Sequence, residues 1–142
     1  MVIRDIFSND HTWALELKET GHVIGCMGYY PYGESNIEIG EHDVEVGYWI
    51  GKPYWNKGLC TEALRAMIDY CFNTKGFKNI WADFFIDNPA SGRVMEKCGM
   101  SYSRFSEKEL EYQGEMRDLT YYEVTREAWE RVEEELCARA SL

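Results

Sequence analysis

The segment WNKGLCTEAL, Trp55 to Leu64, sets a lysine, a glycine and small residues between an apolar run and a stretch of helical spacing. Residues of those types at that place can hold an anion. The first N–H groups of a helix have no intrahelical partner, and that end carries roughly half a positive charge. A phosphate placed there is held by backbone donors. Gly58 lets the backbone come close because it has no Cβ. Cys60 is small enough to continue that approach, and Lys57 and Thr61 add a charge and a hydroxyl. Asn56 and Leu59 complete the loop. Two better-known phosphate loops are excluded, since the chain has neither G-x-x-x-x-G-K-[ST] nor G-x-G-x-x-G.

The elements around this loop follow from residue period. Thr12 to Lys18 alternates in period two, Glu19 to Gly21 is a turn, and His22 to Tyr30 is β-branched and aromatic, loosened by Gly25 and Gly28. Together they predict an antiparallel hairpin. Val44 to Ile50 is almost continuously apolar, as a buried strand is. Leu59, Ala63, Met67 and Cys71 then recur every fourth residue, with Leu64 and Ile68 beside them, and Gly76 stops the helix. Lys78 to Phe85 is a further strand. Asn88 is placed to cap a helix that starts at Pro89 and ends at Gly99. Ser101–Glu111 and Glu115–Val124 form a long hairpin around Gln113-Gly114. A last helix is capped by Thr125, with Trp129, Val132 and Leu136 inward. The order β-β-β-α-β-α-β-β-α predicts an α+β fold, a three-layer arrangement around one central mixed, mostly antiparallel sheet with a right-handed β-α-β unit at its centre.

At 142 residues the chain reads as one domain. Its net charge of −10 argues against nucleic acid and toward a basic partner, or toward solubility alone. Five cysteines without a C-x-x-C pair read as reduced thiols in the cytoplasm. The three histidines show no metal-ligand spacing, so no metal is expected. No run is long enough to span a bilayer as a helix, and no membrane association is expected.

Two segments, taken together, resemble one family. EVGYWIGKPYWNKGLCTEAL is similar to the acetyl-coenzyme A signature Q/R-x-x-G-x-G/A of the GNAT N-acetyltransferases. DNPASGRVMEKCGM, Asp87 to Met100, resembles the N-x-x-S helix and K-x-G-F ending of the ribosomal-protein N-terminal-amine acetyltransferase branch. The resemblance covers about Thr12 to Trp129. It departs at Trp55, where the family has Gln or Arg, at Cys60, where it has Gly or Ala, and at Met100, where Phe is common. It also implies a first strand and helices that the sequence reading does not find before Thr12.

The resemblance implies acetyl-CoA as co-substrate, with no metal. It implies that the backbone of Tyr48, Trp49 and Ile50 pairs with the pantetheine arm, and that the amides from Lys57 to Thr61 hold the pyrophosphate. The acceptor would be a small amine or a protein N-terminus, a basic one fitting the charge, and a homodimer is one expected assembly. Acetyl transfer needs the acceptor ammonium to lose a proton, which asks for a carboxylate. Glu45 stands where family members often carry Glu, on one face with Gly47 and Trp49; its structural alternative is a solvated strand residue. Glu109 and Glu111 are rivals, although Leu110 aligns with the branch's late glutamate. Met95 falls where many members place a Tyr acid and cannot donate, so Ser91 is the candidate proton donor to the departing thiolate. Asn88 would hold the pantetheine or its loop; alternatively, Asn88 and Ser91 are a cap and a first-turn serine. A catalytically weak coenzyme-binding or interaction module is the competing functional reading.

Overall fold

The computed structural model describes residues 2–5, 11–35, 37–85 and 89–140. Its strands are β1 (Val2–Asp5), β2 (Thr12–Glu16), β3 (Val23–Pro31), β4 (Asp43–Ile50), β5 (Asn79–Phe85), β6 (Ser101–Tyr112) and β7 (Glu115–Thr125). The helices are α1 (Leu59–Asp69), α2 (Pro89–Lys97) and α3 (Arg126–Ala140). The strands form one sheet in the order β1-β2-β3-β4-β5-β7-β6. Among the described strands the β4–β5 pair alone is parallel, and α1 makes its crossover. This is the expected α+β mixed sheet flanked by helices.

The helices cover one face of the sheet. α1 turns Ala63, Leu64, Met67 and Ile68 inward, and its path continues through a π-type turn, Tyr70–Thr74, that buries Cys71 and Phe72. These residues meet Leu15, Met27, Tyr29, Val44, Val46 and Ile80 from the strands and Met95 from α2. Burying side chains of this size contributes about 1.5–3 kcal/mol each before chain entropy is set against it. On the opposite face Ile37 and Ile39 pack with Trp81, Leu119 and Tyr121.

Three expectations change. β1 lies ahead of Thr12 and pairs antiparallel with β2, from Val2↔Glu16 to Asp5↔Trp13; four residues are too few to show a period, so pairing alone reveals this strand. The helix expected to run to Asn73 changes from α to π geometry at Tyr70. In α3, Thr125 Oγ1 does accept from the Ala128 N–H at 3.1 Å. However, Val132 and Leu136 are 38% and 47% exposed instead of inward, because only the first turn reaches the core, where Trp129 meets Phe72. The Gln113-Gly114 turn is as expected, with both residues at positive φ.

Candidate functional site

The parallel pair determines the site. β4 and β5 pair from Asp43↔Asn79 to Glu45↔Trp81 and then part, although β4 continues to Ile50 and β5 to Phe85. On the other side of β4 the ladder with β3 is unbroken to Ile50. The Gly51 N–H donates to the Ile24 carbonyl at 2.8 Å, and Gly25 stands opposite Ile50. Antiparallel ladders alternate, so the amide and carbonyl of Trp49 turn to β3, while those of Tyr48 and Ile50 turn to the gap. The main chain of Trp49 thus faces β3, while its side chain is 63% exposed.

From Ile50 the chain makes a short 3-10 turn, Lys52–Tyr54, and reaches the expected anion loop. Gly58 is the N-cap of α1 at φ +76°, and no side chain caps the helix. A Cβ at Gly58 would meet nothing within 4 Å. The glycine is needed here for left-handed backbone, and its open side leaves room for the close approach of an anion. Asn56 also lies at positive φ. The first intrahelical bond is Glu62 N–H to the Gly58 carbonyl at 3.0 Å. The amides of Leu59, Cys60 and Thr61 thus come in the turn whose donors an α-helix leaves over.

A cleft of about 470 Å³ opens on this loop. It is lined by Tyr48, Trp49, Ile50 and the whole run from Tyr54 to Thr61 on one side, and by Ala90, Ser91, Arg93, Val94 and Lys97 of α2 on the other. All the proposed coenzyme-contacting residues that are described come together here. Asn88 lies outside the described residues. Arg93 and Lys97 went unnoticed in the sequence, although their i, i+4 spacing puts both on one face of α2. With Lys57, which sits 6.0 Å from the centre of the Tyr54 ring, they make the cleft cationic.

Two contacts were unforeseen. The Tyr48 hydroxyl donates to the Ser91 carbonyl at 3.2 Å and joins β4 to α2 across the gap. Burial, with Cys60 and Cys98 close by, holds that hydroxyl well above the usual tyrosine range. Trp55 Nε1 donates to the Ile50 carbonyl at 2.7 Å, so this indole does make a polar contact, with the protein itself. Cys60 fits within the loop; burial first, then Cys98, pushes its thiol up to about 11.

Glu45 lies outside the cleft lining and is 8% exposed, so it is buried, unlike a solvated strand residue. Period two places it on the opposite face of β4 from Tyr48 and Ile50. Its Oε1 accepts from Ser35 Oγ at 3.0 Å. Asp83 on β5 meets it: burial, and then the hydrogen bond and charge of Glu45, hold the Asp83 carboxyl well above the usual range. Asp83 is the residue sequence reasoning missed; its one signal was a shared face with Trp81 on β5. Glu111 is exposed on β6, and the Glu109 side chain lies outside the described residues.

A positively charged cleft at a helix N-terminus, beside two parting parallel strands, is suited to a phosphorylated cofactor whose arm enters the gap. Residues 2–101 match the family model described as acetyltransferase (GNAT) domain. The chain belongs to the GNAT acetyltransferase family. This GNAT chain is 31% identical over 121 residues to the uncharacterized N-acetyltransferase YnaD of Bacillus subtilis, covering 85% of itself and 68% of that protein. It is 31% identical over 96 residues to the ribosomal protein uS5 alanine N-acetyltransferase of Escherichia coli, covering 67% of itself and 50% of that protein. The crystal structure of a GNAT-family acetyltransferase from Bacillus anthracis matches with a TM-score of 0.71 at 29% identity, covering 82% of this chain and 67% of that one. The chain spans about half to two thirds of the curated relatives it matches, from 51% to 68% of four of them.

Proposed function

We propose that this chain, acting as one acetyltransferase domain in the cytoplasm, moves acetyl from acetyl-CoA directly to a primary amine. The observation that carries this reading is one cleft running from the Lys57–Thr61 loop along the edge of β4, where it parts from β5, to the first turns of α2. In it the pyrophosphate takes the amides of Leu59, Cys60 and Thr61, with Lys57, Arg93 and Lys97 supplying charge. The pantetheine arm lies along the β4 edge at Tyr48 and Ile50, where the Ile50 carbonyl is already held by Trp55. Ser91, in the cleft wall, is the candidate donor to the departing thiolate. Glu45 is the candidate base, reached through the gap from the other face.

The acceptor class is an amine-bearing small molecule or a protein N-terminus, as in the uS5 alanine relative. The excess of acid favours a basic one through steering. The test is calorimetric titration of the chain with acetyl-CoA, followed by an amine and N-terminal-peptide panel read by thiol release. Saturable binding with amine-dependent thiol release is expected. Absence of binding by the folded chain would overturn the reading, and binding without turnover would leave a coenzyme-binding module.

A further inference from the structure

Beyond the last paired residues, Glu45 and Trp81, the next positions on the face away from the helices are Gly47 and Asp83. Glu45, at the last pair, and Asp83, one step past it on the same face, are joined by a side-chain hydrogen bond where the strands divide. Glu45 is fixed from a third direction by the Ser35 hydroxyl, whose Oγ also accepts from the Ile37 N–H at 3.1 Å. Tyr30, opposite Glu45 on β3, lies over the facing pair Gly28 and Gly47: a Cβ at Gly47 would stand 3.4 Å from its ring, and one at Gly28 3.0 Å from its hydroxyl. An aromatic face and two carboxyl groups on one side of the gap make a seat for an alkylammonium.

We propose that Glu45 and Asp83 act as one proton-accepting dyad: both are ionised against a bound ammonium, and together they take one of its protons and hold it between them. The proposal rests on the acetyl-transfer reading and adds the residue that makes its base strong enough. A lone glutamate, near pKa 4.3, is a poor base for an amine of about 8 to 10.4. Two carboxyl groups in one buried site cannot both ionise cheaply, so their upper proton is held far more firmly. That brings the base toward the pH at which it works.

The step balances. R–NH3+ gives one proton to the dyad and becomes R–NH2. Its nitrogen forms the N–C bond at the thioester carbonyl, and the C–S bond breaks. The departing sulfur takes the Ser91 hydroxyl proton and leaves as a thiol, and a second N–H proton restores the Ser91 hydroxyl. The products are the amide, coenzyme A and a dyad holding one proton, which it returns to water.

Other titratable or charged groups border the pair. Tyr121 stands opposite Asp83 on β7, with Arg104 4.0 Å over its ring. Arg117 lies further along β7, Tyr48 and Asp43 share β4 with Glu45, and Asp43 is engaged by Trp81 Nε1 at 3.0 Å.

The test pairs carboxyl-carbon NMR titration with the pH profile of kcat/KM, on wild type, Asp83→Asn and Glu45→Gln. Wild type should show two linked carboxyl titrations, reduced in either variant to a single ordinary one. Asp83→Asn should move the acid limb of kcat/KM down by a pH unit or more and lower its plateau by about 10²-fold, with acetyl-CoA affinity unchanged. A lowered rate with the acid limb unmoved would make Asp83 merely structural and overturn the proposal. Independent titration of the two carboxyls in wild type would overturn it without any variant. Failure of wild type to acetylate any amine while binding acetyl-CoA would instead refute the acetyl-transfer reading, and the dyad's base role with it.

Discussion

Replacing Gly58 separates backbone geometry from charge in the anion loop. Gly58 sits at φ +76° at the mouth of α1, and a Cβ there would meet no atom within 4 Å. Gly58→Ala therefore carries only the left-handed penalty, about 1–2 kcal/mol of stability. Gly58→Asp carries less, because Asp tolerates that region and an acid at an N-cap stabilises the helix by about 0.5–1 kcal/mol. Binding should move the opposite way. A carboxylate about 4 Å from one phosphate charge costs about 1 kcal/mol at the dielectric of water and about 4 at that of a protein surface. Acetyl-CoA should then bind from about fivefold to several-hundredfold more weakly to Gly58→Asp, while Gly58→Ala stays within a few-fold of wild type. The assays are thermal unfolding and calorimetric titration with acetyl-CoA and dephospho-coenzyme A. Both ligands carry the pyrophosphate, so both should suffer alike. A Gly58→Asp chain that binds acetyl-CoA like wild type would remove the anion from this loop. A loss confined to acetyl-CoA would place the 3′-phosphate there instead.

Gly25→Ala should be among the most damaging single changes, since its Cβ would fall 2.0 Å from the Trp49 carbonyl oxygen on β4. A cost above about 3 kcal/mol in denaturant unfolding is expected, and wild-type stability would refute the close approach. Trp55→Phe removes the donor to the Ile50 carbonyl. It should lower stability by about 1 kcal/mol while tightening acetyl-CoA binding, because a carbonyl facing the gap becomes available. A tenfold loss of affinity would show instead that the indole forms part of the coenzyme site. With its thiol at about 11, Cys60 should react with iodoacetamide at pH 8 far more slowly than exposed Cys137, read by peptide mass spectrometry. Asp83 binds its proton more firmly folded than unfolded. Its contribution is therefore lost as pH rises from about 4, the unfolded value, through the raised folded one. Asp83→Asn should gain melting temperature over wild type progressively from pH 5 to 9, and a constant offset would contradict the raised value.

What the sequence made legible was what repeats or is local. The inward face of α1 follows from four-residue spacing, and the anion loop from glycine and small residues at a strand-to-helix junction. What it hid depends on pairing between distant segments. Gly25 read as a weak point in a strand, whereas the structure makes it the place where β3 passes under a β4 carbonyl. Trp55 stands in place of the family's Gln or Arg, and its indole finds a polar contact only because the 3-10 turn folds it back onto Ile50. Asp83 looked like an ordinary polar strand position until parallel pairing brought it to Glu45. Neither residue signals the other, because the β4–β5 register belongs to the crossover.

That crossover explains why all these features fall at one end of the molecule. Strands that run parallel send their carboxyl ends the same way, and ligands in such sheets gather there. β4 leads through its turn to Gly58 and the first turn of α1, while β5 leads toward Pro89 and the first turn of α2. Both helix N-termini and both free strand edges consequently face the same gap. The antiparallel neighbours, β3 and β7, hold the outer edges of the prongs in register. Tyr48 crosses it to Ser91, and Glu45 meets Asp83 at its root. A coenzyme arm entering from the helix side and an amine approaching from the other face would meet in that opening, with the dyad on the amine's side. Substitutions that close the prongs should therefore abolish transfer, even where every side chain of the anion loop is kept.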